Sequence, residues 1–503
     1  MSPDPRSSRW LPVVGVLFLA LGASITALAD PAPCIGGIAD GTYPCDGIDL
    51  QAFVDVSQLR PGATAGSALW GFKDLNDGRE YAFVGLSNGT SVVDVTSPDR
   101  PRVVGSIGAS PSSWREIKVY QVFDKAADRW KAYAYVTTEA NVGLQILDLT
   151  SLPEQVSLLD TYQGFQTAHT LFMANVDYST GTANVPGVHP YLYVEGSNVC
   201  GLLVLSVDVP TNPEIIGCYD ATYAHDVYAT VFSGARAIQQ CAPGHDPCEV
   251  VVNFAGRLSG DDLRIIDYTD KSNPVLIGSV SYPKQGYTHS GWGSTDDNFL
   301  FLQDELDEEL FGLKTTLRTF DIHDVRNPVF VGGWRGPTAA TDHNGHTLGG
   351  RYYMSNYTRG LTVLDVSEPQ APVQTGFFDT YPANDSTPTT GAWATYPYLP
   401  SGNILVSNIE GPGGLFILKE QTTNPDLVFV LRSRHLAPGK RLGVEASSSR
   451  APECSLLAVG LGDLSYDATR KIYRGSFLVD NAPDTVTVKS SCGGNDTQGV
   501  PYP

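Results

Sequence analysis

Histidines recur at one position of a repeated pattern in this 503-residue chain. Each follows a repeated aspartate by 17 to 22 residues, giving the pairs Asp148 and His169, Asp208 and His225, Asp267 and His289, and Asp321 and His343. Imidazole nitrogens are common ligands of zinc and copper, so four of them at one level of a fold offer a metal site. They equally fit a wet channel in which polar groups hydrogen-bond across blades. The residue types alone leave both interpretations open.

Other residues with useful chemistry share this position or adjoin it. Arg115 follows Asp94 by 21 residues, and alignment of the remaining repeats places Trp70 and Trp393 at or near the same level. The predicted ligand-binding residues are Trp70, Arg115, Glu116, Asp226, Asp342 and Trp393, and the predicted metal ligands are His169, His225, His289 and His343. Carboxylates beside imidazoles orient them or move protons.

The aspartates themselves belong to a repeated strand motif. Typical copies are Val92-Val93-Asp94-Val95 and Val363-Leu364-Asp365-Val366, each followed by a polar turn, and a degenerate seventh copy lies at residues 416–419. The copies are 44 to 60 residues apart, which matches one four-stranded blade with variable loops. The sequence therefore predicts an all-β, seven-bladed β-propeller over residues 50–420, with the motif on the third strand. The first strand of each blade is innermost, so the recurring side chains should converge at one mouth of the channel.

The phase of the repeats also predicts how the ring closes. The last blade runs out after its third strand, whereas residues 50–56 stand where a fourth strand would precede the first blade. Sharing that strand would remove an exposed sheet edge. A competing possibility is that residues 427–430 supply the fourth strand.

Several stretches near the first and second strands resemble a known family. They are Ser113–Tyr120, Gly286–Trp292, Gln303–Glu308, Thr338–Asn344, Gly391–Trp393 and Ser407–Glu410. With the Asp-centred motif, they resemble the LVIVD-repeat, choice-of-anchor B family of exported bacterial propellers, over about residues 34–419. The resemblance implies the propeller fold and export, and it implies no particular activity.

Both ends of the chain differ from the repeats. Residues 1–29 have the basic start, apolar run and small-residue site of a secretory signal, although a retained membrane anchor is the alternative. We expect a cysteine-containing segment at 30–49, a small β appendage or partly disordered tail at 421–503, and no transmembrane segment after signal cleavage. The protein is then secreted, extracellular or held in the cell envelope.

The eight cysteines of the chain are consistent with export. Pairing of sequence neighbours is the simplest connectivity and gives Cys34 with Cys45, Cys200 with Cys218, Cys241 with Cys248, and Cys454 with Cys492. No two cysteines have C-x-x-C spacing, which disfavours a thiolate metal site.

Charge narrows the range of partners. A net charge of -21 disfavours nucleic acid and anionic lipid surfaces but tolerates a cation. In so acidic a chain, the cluster Asp304, Glu305, Asp307 and Glu308 is expected to be a solvated rim. Acidic residues also recur near second-strand ends and could face the funnel, namely Glu139, Glu195, Asp304 and Glu410.

Two functions remain open. The first is a noncatalytic binding module whose funnel takes an unknown extracellular ligand or cell-surface component. The second is a hydrolase or lyase that uses zinc or copper held by the histidine ring. The sequence has no phosphate-binding glycine loop and no H-E-x-x-H motif. Metal analysis of the purified protein would separate the two.

Overall fold

The computed structural model describes residues 31–185, 187–256, 262–421, 426–436, 440–452, 454–481 and 483–500. The signal peptide predicted for residues 1–29 lies outside these ranges. Across the ranges that are described, no helix has the length and apolar character needed to cross a membrane.

Within the described ranges, a short N-terminal group of elements precedes the blades. It comprises β1 (Ile38–Ala39), β2 (Tyr43–Asp46), β3 (Ile48–Asp55) and α1 (Val56–Leu59). The seven blades follow in chain order. Blade one is β4 (Gly66–Lys73), β5 (Glu80–Leu86), β6 (Gly89–Asp94) and β7 (Arg102–Gly108); blade two is β8 (Arg115–Asp124), β9 (Arg129–Thr138), β10 (Leu144–Asp148) and β11 (Ser157–Tyr162). Blade three begins with β12 (Thr170–Ala174), is interrupted by β13 (Val176–Asp177) and β14 (Thr182–Ala183), and continues with β15 (Tyr191–Glu195), β16 (Leu202–Ser206) and β17 (Glu214–Tyr219).

The remaining blades repeat this arrangement. Blade four is β18 (Asp226–Phe232), α2 (Gly234–Gln240), β19 (Cys248–Phe254), β20 (Leu263–Asp267) and β21 (Val275–Val280). Blade five is β22 (Thr288–Gly293), β23 (Phe299–Asp304), α3 (Asp307–Phe311), β24 (Thr316–Asp321) and β25 (Val329–Arg335). Blade six is β26 (Asn344–Leu348), β27 (Arg351–Ser355), β28 (Leu361–Asp365) and β29 (Val373–Phe378), and blade seven begins with β30 (Ala392–Tyr396), β31 (Asn403–Asn408) and β32 (Gly414–Glu420).

The innermost strands form a closed ring. Each blade is an antiparallel sheet hydrogen-bonded in sequence order, and every first strand contacts the first strands of both neighbouring blades, including β30 against β4. The predicted seven-bladed propeller is confirmed.

The N-terminal strand completes blade seven. Strand β3 pairs antiparallel with β32, with Leu50 opposite Leu418 and Phe53 opposite Phe416. The predicted closure is therefore confirmed. The competing strand at 427–430 does not complete blade seven. Its residues 428–430 pair with residues 446–448 in the C-terminal sheet. Strands β1 and β2 extend the outer edge of blade six.

The repeated aspartate has a local structural role. The Oδ1 atoms of Asp94, Asp267 and Asp365 each accept a hydrogen bond from the backbone N–H two residues later, at 3.1, 3.0 and 2.9 Å. Such an Asx turn ends the third strand and begins the turn to the fourth. In blades one to six, the pairing of these two strands also shifts register within the motif, which increases local twist.

An insertion in blade three closes one end of the channel. Strand β14 pairs in parallel with β8, and the Tyr178 ring lies 5.0 Å from that of Trp292 and 5.3 Å from that of Tyr398, between centroids. The Tyr396 hydroxyl donates to the Tyr178 carbonyl at 2.6 Å. Because the insertion follows the end of β12, it plugs the mouth opposite the starts of the first strands. The channel is a blind funnel.

The C-terminal residues form a separate sheet. Its strands are β33 (Val428–Leu436), β34 (Arg441–Ser448), β35 (Leu456–Ala458), β36 (Gly462–Asp467), β37 (Ile472–Leu478), β38 (Thr485–Ser490) and β39 (Asn495–Gly499). Four disulfides occur, Cys34–Cys45, Cys200–Cys218, Cys241–Cys248 and Cys454–Cys492, so neighbouring cysteines pair as the sequence predicts.

Candidate functional site

Five of the recurring side chains meet at the open mouth of the funnel. Ring centroids are 4.3 Å apart for His169 and His225, 4.2 Å for His225 and His289, and 4.5 Å for His289 and His343. The Trp393 ring continues the series at 4.6 Å from His343. The shared phase puts these residues at or just before the starts of first strands, so equivalent backbone positions hold them level.

Trp114 completes this series at the level where the sequence predicts Arg115. Its ring lies 6.4 Å from His169 and 6.1 Å from Trp393, so six aromatic rings encircle the mouth. We call these six residues the mouth ring. Trp70 lies deeper in the channel, against Tyr396 at 5.1 Å.

Arg115 borders the funnel, but its charged group does not point to the mouth. Its Nε atom donates to the Leu86 carbonyl at 2.7 Å, and its Nη2 atom donates to the Ser110 carbonyl. Burial lowers the pKa of this guanidinium to about 10. Arg115 therefore does not join the ring as predicted but links blades one and two. The side chain that points to the mouth is that of the preceding residue, Trp114.

Hydrogen bonds between blades fix the mouth ring. The Nδ1 atom of His225 donates to the His289 carbonyl at 3.0 Å, and Nδ1 of His343 donates to the Trp393 carbonyl at 2.6 Å. The Ser290 hydroxyl donates to the His343 carbonyl at 2.6 Å. Since a carbonyl only accepts, Nδ1 of His225 and of His343 carries the proton, and each Nε2 keeps its lone pair.

The buried imidazoles are neutral. Burial lowers the pKa of His289 to about 3, helped by His169, and lowers that of His343 to about 3, helped by His289. Burial also holds the pKa of His225 well below its usual value. These groups therefore offer lone pairs rather than positive charge at neutral pH.

Glu305 joins two of the imidazoles into a donor set. Its Oε2 lies 3.6 Å from Nε2 of His289, and its Oε1 lies 3.7 Å from Nε2 of His343. The Tyr357 hydroxyl donates to Oε1 at 2.6 Å. One donor atom from each of His289, His343 and Glu305 lies within 4.8 Å of the others, so the three side chains form a possible set of metal ligands.

The two remaining histidines of the ring have other surroundings. His169 pairs through Nδ1 with the half-exposed Glu139 carboxylate at 2.6 Å, at the edge of the mouth. His225 lies between His169 and His289, and among the described residues it belongs to no group of three possible metal ligands. The structure thus brings all four predicted histidines together, but only His289 and His343 share a possible ion with a carboxylate, that of Glu305.

Acidic groups lie below the mouth ring, around a cavity of about 50 Å³. The Lys118 ammonium donates to the Glu116 carboxylate. Burial raises the pKa of Asp226 to about 7, opposed by Lys118 and supported by Glu116. Burial raises the pKa of the neighbouring Glu195 well above its usual value. These raised pKa values and the Lys118–Glu116 ion pair leave little net negative charge in this layer at neutral pH.

The remaining acidic predictions need correction. Asp304, Asp307 and Glu308 are buried, so the expectation of a solvated rim at these three residues is wrong. Helix α3 turns the latter two carboxylates inward, where they meet Asp342 instead of solvent. Asp342 does not line the funnel, because its side chain points away from the channel lining into this cluster.

Sequence reasoning missed Trp114, Glu305 and Tyr357 as members of the site, whereas Glu139 is one of the acidic residues near second-strand ends that it expected to be able to face the funnel. The same signal applies to Glu305. Glu139 follows the end of β9 and Glu305 follows the end of β23, so acidic residues at second-strand ends mark the mouth.

Comparison with known proteins supports the repeat architecture. The model of the LVIVD repeat matches residues 258–281 and 349–380. Among curated proteins, none matches this chain.

Solved structures with some similarity come from three different organisms. A Lactobacillus plantarum protein is 12% identical with a TM-score of 0.42, covering 69% of this chain and 89% of its own. A hypothetical selenium-binding protein from Sulfolobus tokodaii is 12% identical with a TM-score of 0.41, covering 89% and 98%. Saccharomyces cerevisiae Sqt1 is 8% identical with a TM-score of 0.45, covering 73% and 98%. The family match thus identifies LVIVD repeats in blades four and six of the propeller.

Proposed function

We propose that this chain is an exported binding protein whose mouth ring holds one zinc or copper ion between His289, His343 and Glu305. The observation that carries the proposal is the approach of both Glu305 oxygens to the two Nε2 atoms, at 3.6 and 3.7 Å. These distances are too long for hydrogen bonds. At His343 the proton is on Nδ1 and is donated to the Trp393 carbonyl, so the lone pair of Nε2 faces the lone pairs of Glu305 Oε1. A shared cation satisfies them all.

The surroundings support metal binding. Tyr357 donates to Glu305, and the Trp393 carbonyl fixes the tautomer of His343, as groups around metal ligands commonly do. The net charge of -21 also favours a cation.

Export is part of the same proposal. Four disulfides fit an oxidising compartment, and the LVIVD repeats fit the exported choice-of-anchor B propellers that the sequence resembles. We place the protein outside the cytoplasm, secreted or in the cell envelope. Trp114 and Trp393 then present an apolar wall beside the ion to an extracellular ligand or cell-surface component.

Metal analysis of untagged protein tests the proposal. After dialysis against zinc or copper and removal of free ion, the wild-type chain should retain about one ion. Replacing His289 and His343 by alanine should abolish this retention, and Glu305→Gln should weaken it. The control is His189→Ala, which removes an exposed imidazole far from the ring. Retention by the double variant, or none by wild type, overturns the assignment.

A metal-dependent hydrolase or lyase is the second candidate. The observation favouring it is the His169–Glu139 pair, whose 2.6 Å contact lies at the open edge of the same mouth. An imidazole oriented by a carboxylate is a general base for water on a nearby metal. Zinc-loaded protein should then hydrolyse activated esters, and Glu139→Gln should lower the rate while the bound zinc is unchanged. Equal rates in both proteins would leave binding as the function.

A further inference from the structure

A second donor set lies behind the mouth ring, at the junction of blades five and six. Helix α3 brings Asp307 and Glu308 against Asp342, which precedes the first strand of blade six. One carboxylate oxygen from each lies within 4.8 Å of the other two. The three residues are 0%, 3% and 0% exposed, respectively. We call them the buried acidic cluster.

Most of the oxygens in this cluster have no hydrogen-bond donor. Oδ2 of Asp307 accepts from Arg318, and Oδ2 of Asp342 accepts from the Thr316 backbone N–H at 3.0 Å. Apart from the carboxyl groups of the cluster itself, no donor among the described residues reaches the other oxygen of either aspartate or either oxygen of Glu308. Buried polar atoms are nearly always paired, because an unmet carboxylate is costly to bury. Four such atoms at one point indicate a missing partner.

The charge balance specifies that partner. Three carboxylates and the Arg318 guanidinium sum to two negative charges when all are ionised. Neighbouring Asp304 adds negative charge nearby, but its oxygens already accept from the Tyr282 hydroxyl and from the backbone N–H groups of Gly286 and Tyr287, at 2.6 to 2.8 Å, so it is not counted among the ligands. A divalent cation would neutralise the cluster.

We infer that Asp307, Glu308 and Asp342 bind one calcium ion. The donors are all hard carboxylate oxygens, without the imidazole or thiolate that zinc and copper prefer. Oxygens within 4.8 Å of one another can all lie about 2.3 to 2.6 Å from one ion, the range of calcium–oxygen bonds. Calcium accepts flexible coordination, whereas magnesium demands near-octahedral geometry, so we choose calcium as the ion. This site is separate from the one proposed at the mouth ring.

Calcium titration of the EDTA-treated full chain tests the inference. Isothermal titration with CaCl₂ should show one ion per chain. Terbium(III), a luminescent substitute for calcium, should bind at the same stoichiometry and be excited through Tyr282, whose ring lies 4.8 Å from the Arg318 guanidinium carbon. Glu308→Gln should weaken calcium binding at least tenfold. Glu309→Gln, which alters the adjacent exposed carboxylate, should leave it unchanged.

Each outcome decides the question. No calcium heat and no terbium luminescence with wild-type protein would mean that protons fill the cluster, and would overturn the inference. Unweakened binding by Glu308→Gln would place calcium elsewhere, and preference for MgCl₂ would overturn the choice of ion. In the absence of zinc and copper, the His289 and His343 double-alanine variant should keep full calcium binding. Loss of calcium there would contradict a separate site, whereas loss of zinc alone concerns only the mouth ring.

Discussion

Closure of the propeller by its N-terminal strand predicts a large cost for one substitution. Phe53 lies on β3, is 3% exposed, and packs on Phe416 of the paired strand with ring centroids 4.5 Å apart. Replacing a buried phenylalanine by alanine costs about 3 to 5 kcal/mol through lost burial and the cavity left behind. Because the Phe53–Phe416 contact joins the two ends of the ring, Phe53→Ala should lower the free energy of unfolding by that amount.

Urea denaturation followed by tryptophan fluorescence measures this effect. Phe123→Ala is the control, since that ring is 40% exposed on the hairpin of blade two and should cost less than about 1 kcal/mol. A double-mutant cycle with Phe416→Ala should give a coupling of about 0.5 to 1.5 kcal/mol between the rings. Equal unfolding midpoints for Phe53→Ala and Phe123→Ala, or zero coupling, would refute the view that β3 closes a cooperative ring.

Packing and charge give three further predictions. Burial raises the pKa of Asp379 to about 7, so the folded chain holds this proton more tightly than the unfolded chain. The free energy of unfolding should therefore fall as pH rises from about 4 to 7. Asp379→Asn should flatten that part of the pH dependence, measured by urea denaturation. Gly278→Ala should cost about 1 to 3 kcal/mol in the same assay, because its Cβ would lie 2.0 Å from the Val325 carbonyl oxygen of the next blade, and an unchanged midpoint would contradict this packing. Deleting residues 30–57 should expose an edge of blade seven and cause aggregation in size-exclusion chromatography, whereas a monomer that melts like the mature chain would argue against closure.

The fold was predictable because its signals are local and repeated. Asp94, Asp267 and Asp365 each bond to the backbone two residues later, so the turn is encoded within three residues wherever the motif occurs. Seven copies set the blade number, and the phase of the last copy required a strand from elsewhere. Long-range closure could therefore be deduced from local repeats.

Side-chain direction was less predictable, because alternation makes a one-residue error decisive. The count of 21 residues from Asp94 reached Arg115, whereas the inward side chain is that of the preceding Trp114. Register shifts at the starts of β22 and β30 change the local count in other blades. Spacing found the level of the mouth ring but could not settle which neighbour faces the channel.

Contributions from loops were missed for a different reason. Glu305 follows β23 in a connection that contains α3, and Tyr178 lies in an insertion peculiar to blade three. Neither segment repeats, so no equivalent position in another blade indicates where its side chains point. The acidic residues 304–308 looked like a solvated surface because composition alone does not show that a short helix folds them inward.

One connection serves both proposed cation sites, and this links them mechanically. Glu305 reaches the mouth ring while Asp307 and Glu308 enter the buried acidic cluster, and the adjacent pair Asp342 and His343 is divided in the same way. A cation held by the cluster would fix the backbone at both of these points, and so fix the separation between Glu305 and His343 that the ring ion requires. Calcium would then preorganise the transition-metal site, and by linkage the transition metal would tighten calcium binding by the same factor.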